Sequence, residues 1–223
     1  LRTACDEVAS YSASTAPAEP MSLDMFLRES DRYDWLVPGL LERGDRVLIT
    51  GAEGFGKSEL VSQIALAVAG SLHPFTGAPM PGLEPRVLVV DCENQRNQLV
   101  RRLRRIAGAV DSARAMWEQP DLDWGKRVKL EVRSGGMDLL APSDLAWLES
   151  LLSATSPDLL VLGPLYKLHD GNVNDSEPVG KMLRAIDRLR ERHGFALLTE
   201  AHASKAQGPT GQRSMEPEGS ALF

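Results

Sequence analysis

The fold is decided by residues 46–58, which read RVLITGAEGFGKS. The first five residues form a short apolar, β-branched run that predicts a buried strand, and residues 58–69 carry apolar side chains at helical spacing. Between them, residues 51–58 match the pattern G-x-x-x-x-G-K-[ST] at every fixed position. This order of strand, glycine-rich loop and helix predicts a phosphate-binding loop at the carboxyl end of a strand.

The loop has the chemistry of a site for ATP and Mg²⁺. Its glycines let backbone N–H groups converge on an anion, and the following helix adds the positive end of its dipole. Lys57 supplies a point charge for the β- and γ-phosphates, and Ser58 supplies a hydroxyl ligand for Mg²⁺. The predicted ATP contacts are Gly51, Ala52, Glu53, Gly54, Phe55, Gly56, Lys57, Ser58 and Glu59.

Outward from the loop, strands and helices alternate. Further apolar runs predict strands at 86–90, 128–132, 159–162 and 195–199. Helical spacing between and after them predicts helices at 98–109, 143–152 and 178–193. Continuous apolar strands alternating with helices indicate an α/β fold with a mostly parallel sheet that is covered on both faces. We expect ligands at the carboxyl ends of the strands.

Composition and the flanking chain narrow the class of protein. The 223 residues include 25 Lys and Arg against 31 Asp and Glu, and this net charge of −6 excludes binding of nucleic acid by bulk positive charge. The absence of an apolar run of roughly 18 residues argues against a membrane span, and the two cysteines indicate a cytoplasmic protein. The composition of residues 1–34 predicts a flexible linker with a short helix over 22–32. Residues 35–223 form the predicted core, which is expected to be truncated at its carboxyl end.

Acidic residues follow the strand at 86–90. Glu93 is the better candidate for the base that activates water against the γ-phosphate, since its long side chain can reach across from a neighbouring strand. Asp91 is the next candidate. As an alternative, Asp91 and Asn94 are equally suited to capping the helix that follows.

The strand at 159–162 has the form of the strand that lies beside Mg²⁺ in ATPases with this phosphate-binding loop. Gly163 stands where the usual aspartate would be, and Asp158 lies at the wrong end of the strand to replace it. The water shell of Mg²⁺ could instead be held by Asp91 or by Asp170, and the sequence leaves both open.

The last predicted strand leads into a polar segment. His202 is a candidate sensor of the γ-phosphate or an ordinary strand-end residue, and residues 203–218 are a connector or a loop that contacts single-stranded nucleic acid through Lys205. Arg213 is an exposed loop residue or an arginine that acts on the γ-phosphate of the neighbouring subunit. A solvated helix face is expected for four arginines, Arg101, Arg102, Arg104 and Arg105.

Together these segments resemble the RecA-like ATPases, in particular the AAA_25 group that contains the RepA-type hexameric replicative helicases. The resemblance rests on GAEGFGKS at 51–58, DCEN at 91–94, LLVLGPLYKLH at 159–169 and TEAHASK at 199–205. It implies a RecA-type sheet in which the phosphate-loop strand lies next to the 159–162 strand, with the acidic strand beyond. It also implies Glu93 as the catalytic glutamate, His202 as the sensor, and a ring, such as a hexamer, with ATP at the subunit interfaces.

The motif and the resemblance predict an ATP-hydrolysing motor or switch that acts on DNA, of the replicative helicase type found in a phage, plasmid or related element. The alternative is a nucleotide-gated assembly and DNA-binding module with weak or no hydrolysis, because position 163 lacks the aspartate. A small-molecule kinase fits less well, since its lid would need several arginines and the 203–218 loop contains one.

Overall fold

A computed structural model describes residues 20–171 and 176–202 of the chain. The chain divides into two compact units, residues 1–33 and residues 34–223. In the first unit, α1 (Leu23–Phe26) is a single turn. It is shorter than the predicted helix over 22–32, because its residues are exposed and no apolar face is buried to stabilise further turns.

The second unit alternates strands and helices. Its strands are β1 (Trp35–Val37), β2 (Leu41–Glu42), β3 (Arg46–Gly51), β4 (Val87–Asp91), β5 (Val128–Val132), β6 (Leu159–Gly163) and β7 (Ala196–His202). Its helices are α2 (Lys57–Ala69), α3 (Arg96–Met116), α4 (Trp124–Arg127), α5 (Pro142–Thr155) and α6 (Ser176–His193), with a 3-10 turn at Leu165–Lys167. The strands and helices predicted from residue 46 onward are therefore all present.

Within the described residues, five strands form a parallel sheet in the order β3-β7-β6-β4-β5, while β1 and β2 form a separate antiparallel pair. This is the predicted α/β, RecA-like P-loop fold. The predicted neighbour of the phosphate-loop strand was wrong, because β7 lies between β3 and β6. The acidic strand β4 does lie beyond β6. The order in which strands follow one another in the chain does not determine where a crossover inserts the last strand.

Helices cover both faces of this sheet, which explains why its inner strands β4 and β6 are apolar up to their final residue. On one face, α2 packs against alternate residues of the central strands, among them Val89, Val161 and Leu198. On the other face, α5 and α6 pack against the intervening residues, among them Leu160 and Leu197. The carboxyl ends of β3, β4, β6 and β7 consequently meet at one edge of a rigid core, beside the start of α2.

None of the helices in the described ranges has the length and apolar character that a transmembrane span requires.

Candidate active site

The phosphate loop curls over the start of α2. Gly54 and Gly56 have φ angles of 81° and 79°, which side chains with a Cβ rarely adopt. The Lys57 ammonium donates to the carbonyl oxygens of Gly51 and Ala52, at 2.7 and 3.0 Å. Because α2 begins at Lys57, the positive end of its dipole points at the loop. The backbone thus has the geometry that an anion site requires.

A cavity of about 280 Å³ opens beside this loop. Its walls are the loop itself, Glu93 beyond β4, Pro164 beyond β6, and the end of β7 at Glu200–His202. The structure therefore brings together four predicted site residues that lie in three separate segments of the chain: Lys57, Ser58, Glu93 and His202. His202 Nδ1 is 3.4 Å from the Lys57 ammonium.

Glu93 is held by a tyrosine that the sequence reasoning did not identify. The Tyr166 hydroxyl donates a hydrogen bond to Glu93 Oε1, and the Tyr166 ring lies 5.3 Å from the ring of His202. Burial of the phenol, and then its hydrogen bond to Glu93, raise the pKa of Tyr166, so the phenol remains a proton donor. Tyr166 therefore links Glu93 to His202, and His202 in turn lies beside Lys57 of the phosphate loop.

Asp91 shapes the turn that carries Glu93. Its Oδ1 accepts the backbone N–H groups of Glu93 and Asn94 at 3.0 and 2.7 Å, and its Oδ2 accepts Asn94 Nδ2 at 2.9 Å. The cap of α3 is Gln95, not Asp91 or Asn94, in a capping box with Gln98. Roles for Asp91 as a metal ligand or reserve base stay predictions.

Glu200 is a site residue that the sequence reasoning missed. The Ser58 hydroxyl donates to the Glu200 carboxylate, with Oγ 2.8 and 2.9 Å from the two oxygens, and Glu200 is only 8% exposed. Burial raises the pKa of Glu200, and the hydrogen bond from Ser58 opposes this increase. The sequence did contain a signal for Glu200, because this carboxylate lies at the end of an apolar strand. The same signal identified Glu93 as a candidate.

Arg102 also lines the cavity, so the expected solvated helix face is wrong for this residue. Its side chain is 22% exposed, with Nε 3.6 Å from Glu59 Oε2 and Nη2 3.5 Å from Asn94 Oδ1. The helical period could have revealed this position, because residue 102 lies on the face of α3 that carries Leu99 and Ile106. Arg101, Arg104 and Arg105 are exposed as expected.

Gly163 has a backbone that disfavours a side chain. Its φ is 150°, and an added Cβ would lie 3.0 Å from Thr199 Oγ1. That hydroxyl is buried and has no hydrogen-bond partner among the residues that the structure describes. Asp170, the other alternative carboxylate, is exposed. A residue with a side chain would thus be strained at the position of the usual aspartate in this conformation.

The 203–218 loop, Lys205 and Arg213 lie outside the described residues, and their predicted contacts stay predictions.

The donors around Ser58 fit Mg²⁺. Ser58 and Glu200 offer hard oxygen atoms, and Mg²⁺ in nucleotide sites is held by one or two carboxylates together with substrate phosphates and water. In residues 20–171 and 176–202, no three His, Cys, Asp or Glu side chains cluster into a cage for a metal ion. A metal here would therefore depend on the nucleotide for further ligands.

Comparison with known proteins gives a family. A family model described as an AAA domain, AAA_25, matches residues 12–208. No curated protein matches the chain. The matched range includes the phosphate loop and the whole of the main sheet. The chain therefore belongs to the AAA_25 family of AAA-type P-loop ATPases.

Proposed function

We propose that the chain is an ATP-hydrolysing, RecA-like motor or switch that acts on DNA, of the replicative helicase type found in a phage, plasmid or related element. The observation that carries the proposal is the convergence of Lys57, Ser58, Glu93 and His202 on one cavity at the phosphate loop. These residues supply a cation, a metal-binding hydroxyl, a carboxylate base and a strand-end imidazole. Phosphoryl transfer in P-loop ATPases uses the first three of these groups, and the imidazole is placed to respond to the γ-phosphate.

The phosphate loop at 51–58 and the Lys57 side chain bind the triphosphate of ATP. The N–H groups at 51–58 receive the phosphate oxygens, and the Lys57 ammonium exchanges the carbonyls of Gly51 and Ala52 for the β- and γ-phosphates. Mg²⁺, when bound, neutralises charge on the β- and γ-oxygens, and Ser58 would hold it. Glu53, Phe55 and Glu59 remain predicted nucleotide contacts.

Glu93 acts as the base that orients water and accepts its proton. The hydrogen bond from Tyr166 fixes the direction of the Glu93 carboxylate, and the turn built by Asp91 fixes its backbone. His202 senses the phosphate state, because its imidazole is within 3.4 Å of the Lys57 ammonium and Lys57 must move when phosphate binds. β7 then transmits this state to the segment at 203–218.

Action on DNA requires parts of the chain beyond this cavity. We propose that Lys205 in the 203–218 loop contacts single-stranded DNA, and that the protein assembles into a ring, such as a hexamer. Arg213 would reach the γ-phosphate of the neighbouring subunit, where an arginine supplied in trans adds about 10³–10⁵ in rate. The RecA-like fold and the family membership support this assembly.

The test measures ATP binding by calorimetry and ATP hydrolysis with and without single-stranded DNA, in the full-length protein. Lys57→Ala should lose most triphosphate affinity. Glu93→Gln should keep it but lose hydrolysis by about 10²–10⁴, as expected for a general base. Lys129→Ala, which removes an exposed lysine from the edge strand β5, is the matched control and should behave as the wild type.

Two results would contradict these assignments. Unchanged affinity in a folded Lys57→Ala variant excludes the proposed phosphate site, and normal turnover in Glu93→Gln moves the base elsewhere, with Asp91 next. A wild type that binds ATP and assembles on DNA without turnover is instead the nucleotide-gated module, which the glycine at position 163 favours.

A further inference from the structure

We propose that Glu200 is the metal-positioning carboxylate of this site, acting through Ser58 and replacing the aspartate that is absent at position 163. The inference deepens the proposed function and rests on it, because its ligands are Mg²⁺ and a nucleoside triphosphate. The carboxylate that positions the metal ion would then lie on β7, whereas the sequence pattern predicts it at the end of β6.

The contact between the Ser58 and Glu200 side chains supports this role. A serine hydroxyl has one proton to donate and two lone pairs to offer. Ser58 directs its proton to the Glu200 carboxylate, at 2.8 and 2.9 Å from the two oxygens. The lone pairs of Oγ therefore remain available on another side, and Ser58 lines the cavity beside the phosphate loop. Glu200 thus fixes the hydroxyl in the orientation that a cation requires.

The register of the sheet places Glu200 beside the position of the absent aspartate. β7 pairs Ile49 with Glu200 on one side, and β4 pairs Asp91 with Gly163 on the far side of β6. The offset that pairs Val161 with Leu198 brings Gly163 opposite Glu200, whose backbone N is 3.8 Å from the Cβ position of residue 163. Glu200 is consequently the cross-strand neighbour of the missing aspartate, one strand closer to the phosphate loop.

Side chains alternate along β7, which places Glu200 on the face covered by α2. Ala196 and Leu198 pack on the face covered by α2, and Glu200 follows them on the same face. A carboxylate buried there is costly unless it is paired. The cavity that it lines also contains Lys57 and Arg102, and Mg²⁺ would add further compensating charge.

The other carboxylates are less suited to the task. The described hydrogen bonds of the Asp91 side chain all go to residues 93 and 94, and Asp170 is exposed. Glu93 accepts the hydrogen bond of the Tyr166 hydroxyl and has no described contact with Ser58. Because Mg²⁺ can be held with a single carboxylate when phosphates and water complete its shell, Glu200 is sufficient.

The experiment measures how strongly Mg²⁺ and nucleotide binding are coupled, without turnover. The affinity of a non-hydrolysable ATP analogue is determined by calorimetry in Mg²⁺ and in EDTA, and the ratio of the two affinities is the coupling. Glu200→Gln is the decisive variant, because glutamine keeps an oxygen that can accept from Ser58 but removes the charge. Glu131→Gln makes the same change on the edge strand β5 and serves as the matched control.

The coupling in Glu200→Gln should fall by about 10–100-fold, the usual loss when a group that supports a metal ligand is removed. Its affinity in EDTA should be unchanged or higher, because a negative charge near the phosphates is gone. The electron paramagnetic resonance spectrum of Mn²⁺ bound with the analogue should change in Glu200→Gln and not in Glu131→Gln. Ser58→Ala should add little to Glu200→Gln, since the two side chains act as one unit.

Failure of this inference can be separated from failure of the proposed function. Wild-type coupling in a folded Glu200→Gln variant overturns the role of Glu200 and leaves the ATPase proposal intact. A wild type whose analogue affinity is independent of Mg²⁺ overturns both. If Glu200→Gln does not fold, Glu200→Asp decides, because its carboxylate is one methylene further from Ser58. Coupling reduced in that variant supports the inference, and wild-type coupling overturns it.

Discussion

Replacement of Gly163 by alanine should destabilise the nucleotide-free protein by about 2–4 kcal/mol. The φ of 150° at this residue is a conformation that costs a non-glycine residue about 1–3 kcal/mol. The new Cβ would also lie 3.0 Å from Thr199 Oγ1 and 3.4 Å from the backbone N of Leu165. Overpacking costs about 1–3 kcal/mol, and the lower value applies because Thr199 Oγ1 need move by only a few tenths of an ångström and has no described hydrogen bond to lose.

The measurement is equilibrium unfolding by urea, followed by circular dichroism. In a chain of this size, each kcal/mol lowers Tm by about 2–4 °C, so a thermal scan should show a decrease of roughly 4–16 °C. The matched control is Gly108→Ala in α3, where the added Cβ meets nothing within 4 Å. This control should be neutral or stabilising by up to about 1 kcal/mol. If Gly163→Ala unfolds at the wild-type midpoint with an unchanged m-value, the backbone explanation for the missing aspartate is wrong.

Three further predictions concern single side chains. Tyr166→Phe should lower kcat by about 10–150-fold with little change in ATP affinity, because it removes a hydrogen bond to a charged group worth about 1.5–3 kcal/mol; an unaltered kcat would exclude a positioning role. In a Cys5→Ser background, Cys92 should react with thiol reagents at pH 8 far more slowly than in guanidinium chloride, because burial raises the pKa of its thiol to about 12 and leaves little thiolate; rapid labelling of the folded protein would contradict this. Lys205→Ala should weaken binding to single-stranded DNA and reduce the salt dependence of log K by about 0.7, and a slope equal to the wild type's would count against a phosphate contact.

The strands and helices of the core could be predicted because burial on both faces of a sheet imposes a simple pattern. The end of α3 was harder to predict. The apolar spacing continues from Ile106 and Val110 to Arg114, whose guanidinium is buried and donates to the carbonyl oxygens of Gly70 and Pro120. A buried arginine has the sequence signature of an exposed one, so the predicted helix ended at residue 109.

The composition of the site was predictable in part. Lys57 and Ser58 belong to a contiguous motif, and Glu93 and His202 follow apolar strands, so each has a local signal. The hydrogen bond between Ser58 and Glu200 has no local sequence signal, because it depends on β7 lying beside β3. Tyr166 was missed for a similar reason, since only the turn after β6 brings its hydroxyl to Glu93.

The position of β7 between β3 and β6 also has a consequence for folding during protein synthesis. In the described part of the sheet, β3 pairs with β7 alone, yet β3 ends at residue 51 and β7 begins at residue 196. A chain emerging from the ribosome therefore carries its phosphate-loop strand without this partner until residues 196–202 have been synthesised. Strand pairs so distant in sequence form slowly, and the unpaired edge of β3 stays exposed until its partner is in place. Because residues 200 and 202 arrive on that same late strand, nascent chains should acquire nucleotide affinity only when the sheet closes, in a single late step.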